Sequence, residues 1–391
     1  MYRAATRAGN RSGRRTATIS RMNPRCDIFC NVIDNFGDIG VCWRLARQLA
    51  AEHGLAVTLW VNDLASFARL APTLDPARAT QVLGAITVRR WAGEIAEPAP
   101  GDLVIEGFAC TLPAGFLAAM RNRTPAPRWL NLEYMSAEAW VEDCHGLASV
   151  HPATGLTQHF CFPGFTARTG GLLREAGLVQ ARERFQLDSA EQAAFWRRIG
   201  VPEALELHRR VSLFAYENAA VPGLLGALAE SEIPRLLLVP EGRVLADVAR
   251  WAGQPLAAGV RARRGSLAVA VLPMLAHDDY DRLLWGCELN LVRGEDSLVR
   301  AQWAGQPLLW HIYPQDEDTH LVKLEAFMAR VEAQGMPALW AEAMRAWNRG
   351  DADAALWRSF IADLPTFAGP ARAWTTAQAG LPDLATKLMH F

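Results

Sequence analysis

The sequence predicts an α/β protein of two doubly wound domains, each a parallel sheet covered by helices on both faces. Three observations carry this. Short apolar runs rich in strand formers alternate with stretches of helical apolar spacing. The alternation occurs twice, over 27–132 and again over 211–334. A segment rich in proline and glycine, about 149–177, breaks the rhythm between the two series. The length of 391 residues suits two or three domains, and 51% hydrophobic with 21% charged residues excludes wholesale disorder.

In the first series Asp27 to Ile33 reads as a strand, and Ile39 to His53 as a helix stopped by Gly54. Ala56 to Val61 is the next strand, and Asp63 caps a helix running to Leu70. Gly101-Asp102 introduces the strand Leu103–Ile105, Pro113 opens a helix to Arg121, and Trp129–Leu132 is a strand. The 149–177 segment reads as a structured loop or hinge, followed by a helix near Ala190–Ile199 and a break at Gly200-Val201-Pro202. In the second series the strands are Val211–Tyr216, Arg235–Val239, Leu267–Leu272, Leu289–Val292 and Pro307–Trp310. Its helices are Val221–Ala229, Asp278–Trp285, Asp296–Ala304 and Asp318–Gln334. The expected division is a basic extension at 1–24, an N-terminal domain at 25–185, a C-terminal domain at 186–365, and a helical segment at 366–391 that packs back on the N-terminal domain.

Forty basic against forty-one acidic residues give a net charge of −1, which argues against a bulk nucleic-acid or polybasic membrane binder. Only Lys323 and Lys387 are lysines. No uncharged apolar run reaches 18 residues, and the best, Leu267 to Ala276, is ten long and contains Pro273, so no membrane span is expected. Seven scattered cysteines do not form a disulfide framework and fit a reducing cytosol, so the expected location is cytoplasmic. Cys26 and Cys30 have the wrong spacing for a zinc ribbon, Cys144 with His145 is a pair without partners, and no metal site is expected. Residues 1–25 hold seven arginines and no acid, which resembles a transit peptide or a nucleic-acid arm; the favoured reading is a disordered tail or sequence preceding a start at Met22.

Chemistry concentrates where strands end. The first strand runs into Asp34-Asn35-Phe36-Gly37-Asp38-Ile39-Gly40, a glycine turn carrying two carboxylates four residues apart. Carboxylates beside an amide nest would repel a pyrophosphate. They read either as turn former and helix cap, or as a pair in which one orients a nucleophile and the other takes a proton. A second junction, Arg293-Gly294-Glu295-Asp296-Ser297, offers a helix N-terminus and a hydroxyl to a bound anion. Phe214 to Asn218 and Leu272 to Tyr280, with Met274, His277 and Tyr280, could form a pocket for a nucleobase and ribose. No G-x-S-x-G, P-loop lysine or H-E-x-x-H competes.

Three long strings, Phe29 through Arg47, Phe162 through Glu175, and Arg293 through Tyr313, resemble the elongation factor P maturation arginine rhamnosyltransferases. The likeness runs from about Arg25 to the C-terminus. It implies a GT-B glycosyltransferase fold, with two Rossmann-like domains facing across a cleft. It implies transfer of L-rhamnose from dTDP-β-L-rhamnose, the co-substrate, to an arginine of elongation factor P, with inversion and without metal or other cofactor. The family's catalytic carboxylates match Asp34, Asp38 and Glu295. Its donor contacts match the stretches holding Phe36, Gly37, Phe214, Tyr216, Met274, His277, Tyr280, Arg293, Glu295, Asp296 and Ser297. The family pattern has Phe where Met274 stands and Gln where His277 stands. In this scheme Asp38 is the general base, Asp34 positions it and the guanidinium, and Glu295 meets the acceptor or the sugar across the cleft. The rival readings are a sugar-nucleotide transferase acting on a lipid or small glycan, and a non-catalytic nucleotide-sugar-binding adaptor.

Overall fold

The structure, a computed structural model, describes residues 23–33, 36–201, 205 and 208–391. The first sheet is built from β1 (Arg25–Cys30), β2 (Ala56–Val61), β3 (Thr80–Leu83), β4 (Ile86–Arg90), β5 (Leu103–Gly107), β6 (Arg128–Leu132), β7 (Ala148–Val150) and β8 (Thr157–Cys161). Its order is β3-β4-β2-β1-β5-β6-β8-β7, parallel except for the hairpins β3–β4 and β7–β8 at the two edges. Helices α1 (Gly37–His53), α2 (Leu64–Leu70), α3 (Ala114–Asn122) and α4 (Val141–Cys144) connect these strands. Buried on both faces, β1 and β5 read as near-continuous apolar runs. Register places Cys30 beside both Val61 and Gly107, so the chain leaves β1 for α1 at the carboxyl edge of the sheet centre.

Helices α5 (Leu178–Leu187) and α6 (Ser189–Arg198) lead to the second sheet. Its strands are β9 (Arg209–Leu213), β10 (Arg235–Pro240), β11 (Arg261–Arg264), β12 (Leu267–Leu272), β13 (Leu289–Arg293) and β14 (Leu308–His311). The order is β11-β12-β10-β9-β13-β14, with β11 alone antiparallel. The connecting helices are α7 (Val221–Glu230), α8 (Leu245–Ala252), α9 (His277–Trp285) and α10 (Gly294–Ala304). Then come α11 (Thr319–Glu332), α12 (Ala338–Arg349), α13 (Ala354–Ala362), α14 (Leu364–Ala379) and α15 (Leu384–Met389). Two Rossmann-like sheets facing each other across a cleft make the GT-B arrangement, as expected.

Many caps fall where the sequence put them. The Asp63 carboxylate accepts from the amides of Ala65 and Ser66, and Gly54 ends α1 in the left-handed region. Other elements depart from the reading. β1 stops at Cys30 and α1 starts at Gly37, ahead of Ile39. β9 ends at Leu213, with one further bond from the Phe214 amide to the Leu291 carbonyl of β13 at 2.9 Å. The 149–177 loop contains β8, a full member of the sheet paired with β6. α5 spans the expected boundary at 185/186, and Gln186 Nε2 donates to the carbonyls of Trp285 and Ala304 on the second domain. The extension at 1–24 lies almost wholly outside the described residues.

A buried ion network joins the domains under the cleft. Arg44 of α1 donates through Nε to Asp296 Oδ1 at 2.9 Å and through both Nη atoms to Asp281 at 3.0 and 3.1 Å. Arg300 binds the same Asp281 and also Glu175 Oε2 at 2.7 Å. The loop after β8 and the C-terminal helices complete the seam. Trp303 Nε1 donates to the Leu173 carbonyl, Arg174 to the carbonyls of Ala379 and Leu381, and the Leu384 amide to the Leu172 carbonyl. A Cβ on Gly171, at φ +71, would lie 2.4 Å from the Pro382 carbonyl, so that crossing requires glycine. No described helix is long and apolar enough to cross a membrane.

Candidate active site

Two cavities open at the carboxyl ends of the strands and share a wall made by Gly37 and Gly294. Each glycine is the first residue of a helix that follows a central strand, α1 after β1 and α10 after β13. Gly294 sits at φ 63, a conformation that disfavours any side chain, and its carbonyl accepts from Trp310 Nε1 at 2.8 Å.

The first cavity has about 560 Å³ of empty space. It brings together Phe36, Gly37, Phe214, Met274, His277, Tyr280, Arg293, Asp296 and Ser297 from the candidate donor set, with Leu70, Pro240 and Leu275 added. The Arg293 guanidinium is buried in an aromatic box, 4.6 Å from the Phe214 ring centre, 4.7 Å from Tyr216 and 5.9 Å from Phe36. Tyr216 therefore acts from behind the wall, packed also against His311 and Tyr313. Burial, followed by the charges of Arg44, Arg300 and Arg47, holds the His277 imidazole well below its ordinary pKa, so it is neutral. Its Nδ1 is buried with no hydrogen-bond partner among the described residues. The Tyr280 hydroxyl stands beside Ser297 without a hydrogen bond of normal geometry. The first turn of α10 lacks a side-chain cap, so its orphan amides stand at the end of this cavity.

The second cavity, about 940 Å³, holds Asp38, Glu295, Tyr134, Lys323, Phe108 and Tyr313 among its walls. Asp38 lies inside the first turn of α1 and does not cap it. Its Oδ2 accepts from the Ile33 amide at 2.9 Å, which ties the end of the β1 turn to the helix, and the Tyr134 hydroxyl reaches Oδ1 at 3.4 Å. Tyr134 stacks on Phe108, which is held at φ 58 after β5. Glu295 reaches across the cleft, where its Oε2 accepts from the Met135 amide at 2.9 Å and its Oε1 from Lys323 Nζ at 2.6 Å.

Two adjacent candidates have different surroundings. Glu295, grouped with the donor residues as well as the catalytic ones, lines the second cavity and not the first. The Asp296 carboxylate is bound to Arg44, and burial, against the charges of Arg44 and Arg300, raises its pKa. Asp34 lies outside the described residues. Glu217 pairs with Arg243 at 2.8 Å, and Asn218 binds Asp247, Trp347 and Ala220. His145 Nδ1 accepts from the Phe162 amide at 3.2 Å and its ring packs on Phe391. Among the described residues no three His, Cys, Asp or Glu side chains cluster as metal ligands. Sequence reading missed Tyr134 and Lys323, although one of only two lysines amid so many arginines was a usable signal.

A family model described as Elongation-Factor P (EF-P) rhamnosyltransferase EarP matches residues 26–391. The chain belongs to the EarP family. The protein-arginine rhamnosyltransferase of Pseudomonas aeruginosa is 53% identical over 370 residues, covering 93% of this chain and 98% of that relative. That of Pseudomonas putida is 51% identical over 381 residues, covering 95% and 99%. A solved structure concerned with EarP-mediated arginine glycosylation of translation elongation factor EF-P matches with a TM-score of 0.67 at 40% identity, covering 94% of this chain and 98% of that one. As an EarP-family member the chain is a glycosyltransferase, and the rival adaptor reading falls.

Proposed function

We propose that this EarP-family enzyme transfers L-rhamnose from dTDP-β-L-rhamnose to an arginine side chain of translation elongation factor P, with inversion at the anomeric carbon. The observation that carries the reading is the pair of cavities meeting at Gly37 and Gly294, one aromatic and amide-lined, the other carboxylate-lined. The aromatic cavity takes the nucleotide, with Phe214 and Met274 against the thymine and neutral His277 and Tyr280 as polar contacts. Ser297, the α10 amides and Arg293 face the diphosphate and stabilise the charge that develops on it, the work a metal does in other transferases.

The carboxylate cavity takes the acceptor. A guanidinium keeps its proton up to a pKa above about 12 and is a poor nucleophile until it loses one. Carboxylates match its planar fork, so Asp38 and Glu295, with Asp34, orient it. The acceptor nitrogen attacks the anomeric carbon from the side opposite the diphosphate. As the carbon–nitrogen bond forms, the carbon–oxygen bond breaks, the electron pair leaves with dTDP, and Asp38 takes the guanidinium proton. The test is the intact mass of elongation factor P after incubation with enzyme and dTDP-rhamnose. A gain of one deoxyhexosyl unit located on an arginine supports the reading, and an unmodified acceptor overturns it.

A further inference from the structure

A pocket that binds a guanidinium through carboxylates works against its own chemistry. Each anion beside the acceptor favours the protonated form and raises the pKa that catalysis must overcome. Glu295 escapes this conflict because its charge is already matched. Lys323, on α11, places Nζ 2.6 Å from Glu295 Oε1, and both side chains are mostly buried in the wall of the acceptor cavity. The same Nζ lies 5.9 Å from the Tyr134 ring centre, whose hydroxyl reaches Asp38.

The choice of cation is informative. Of forty basic residues only two are lysines, and the other, Lys387, holds the Ala167 carbonyl far from the cleft. A lysine is a point charge and engages one carboxylate oxygen, whereas an arginine fork claims both. Glu295 Oε2 is held by one backbone amide, so lone pairs stay available to an incoming guanidine. We infer that Lys323 is a positioning residue of the transfer: it orients Glu295 toward the acceptor guanidine while cancelling the negative charge that would keep that guanidine protonated. This rests on the acceptor assignment made above. The groups facing Lys323 are Glu295 from α10, Asp38 from α1, Tyr134 from the loop after β6 and Tyr313 from the loop after β14. On its own helix His320 is turned to the Gln315 amide.

The experiment measures kcat and KM for elongation factor P at saturating dTDP-rhamnose as a function of pH, alongside dTDP affinity. Lys323→Met is expected to lower kcat about tenfold and displace its rising limb about one unit toward higher pH, because a cation a few ångströms from the acceptor is lost. Its KM for the acceptor does not rise, and dTDP affinity is unchanged. Lys323→Arg keeps the wild-type pH limb but raises KM, since its fork competes for Glu295. A Met variant with wild-type kcat and pH profile overturns the inference, as does a loss of kcat that follows loss of dTDP binding. So does an Arg variant whose pH limb is displaced as in Met. A wild-type enzyme that leaves the acceptor unmodified sinks the underlying acceptor reading, and the inference with it.

Discussion

Arg44 ties α1 of the first domain to α9 and α10 of the second. It is 1% exposed and binds Asp281 with both Nη atoms and Asp296 with Nε. The network of Arg44, Arg300, Asp281, Asp296 and Glu175 carries two positive and three negative charges, a net of −1. Arg44→Met keeps the aliphatic volume but leaves a net of −2, with Asp296 buried and stripped of its cation. Removing one partner of a buried pair costs about 3–5 kcal/mol. At roughly 2 °C per kcal/mol for a chain of this size, the melting temperature is expected to fall by about 6–10 °C. Because Asp296 belongs to the first turn of α10, dTDP affinity should fall as well. Arg44→Lys restores the charge but not the fork and should lie between. Thermal denaturation and calorimetry with dTDP read both effects. A melting temperature within a degree of wild type, with unchanged dTDP affinity, would refute the reasoning.

Asp38→Asn should lower single-turnover transfer by about 10²-fold or more while leaving dTDP affinity intact. Its amide can still accept from the Ile33 N–H and donate to the Tyr134 oxygen, so the turn survives, and full activity would remove Asp38 as base. Ser297→Ala should weaken dTDP binding more than it slows the chemical step, and a loss of kcat alone in single-turnover assays would move that hydroxyl to catalysis. For Glu175, burial would raise the carboxyl pKa, but the guanidiniums of Arg300 and Arg44 outweigh it and hold it at about 2 against an ordinary 4.5. A depressed carboxylate contributes stability above its unfolded pKa and loses it as pH falls from about 4.5 to about 2. The melting temperature should therefore drop more steeply across that window in wild type than in Glu175→Gln, and parallel curves would exclude Glu175 as a cause.

Central strands and their helices were legible because burial on both faces writes them as apolar runs bounded by caps. β2 and β12 have the ends the sequence gives them. What was missed has a physical reason in each case. β8 reads Thr-Gln-His-Phe-Cys, flanked by glycines and prolines, and its one fully buried residue is Cys161. α5 is rich in charge, yet it buries Leu178, Arg182 and Phe185 at helical spacing against the second domain. Phe214 and Tyr216 prolong the apolar run of β9 because their rings serve the Arg293 box. Hydrophobicity alone does not say which surface an apolar residue will meet.

The same limit explains Glu295 and Asp296, adjacent acids that look like one cluster in the sequence. Successive residues of a helix point about 100° apart, so neighbours at the start of α10 must face different surroundings. Glu295 projects into the carboxylate cavity, toward Lys323 and the Met135 amide of the other domain. Asp296 turns onto Arg44, and a Cβ on Gly40 would already lie 3.4 Å from its side chain. One acid therefore faces the second cavity while its neighbour ties α10 to α1. Gly40 is part of that contact: a Cβ there would already touch Asp296, so the further methyls of a branched side chain have to displace it. A loss of transfer in Gly40→Val with dTDP binding preserved would show that the separation of the two helices matters to the chemistry apart from donor affinity, and unaltered transfer would show that it does not.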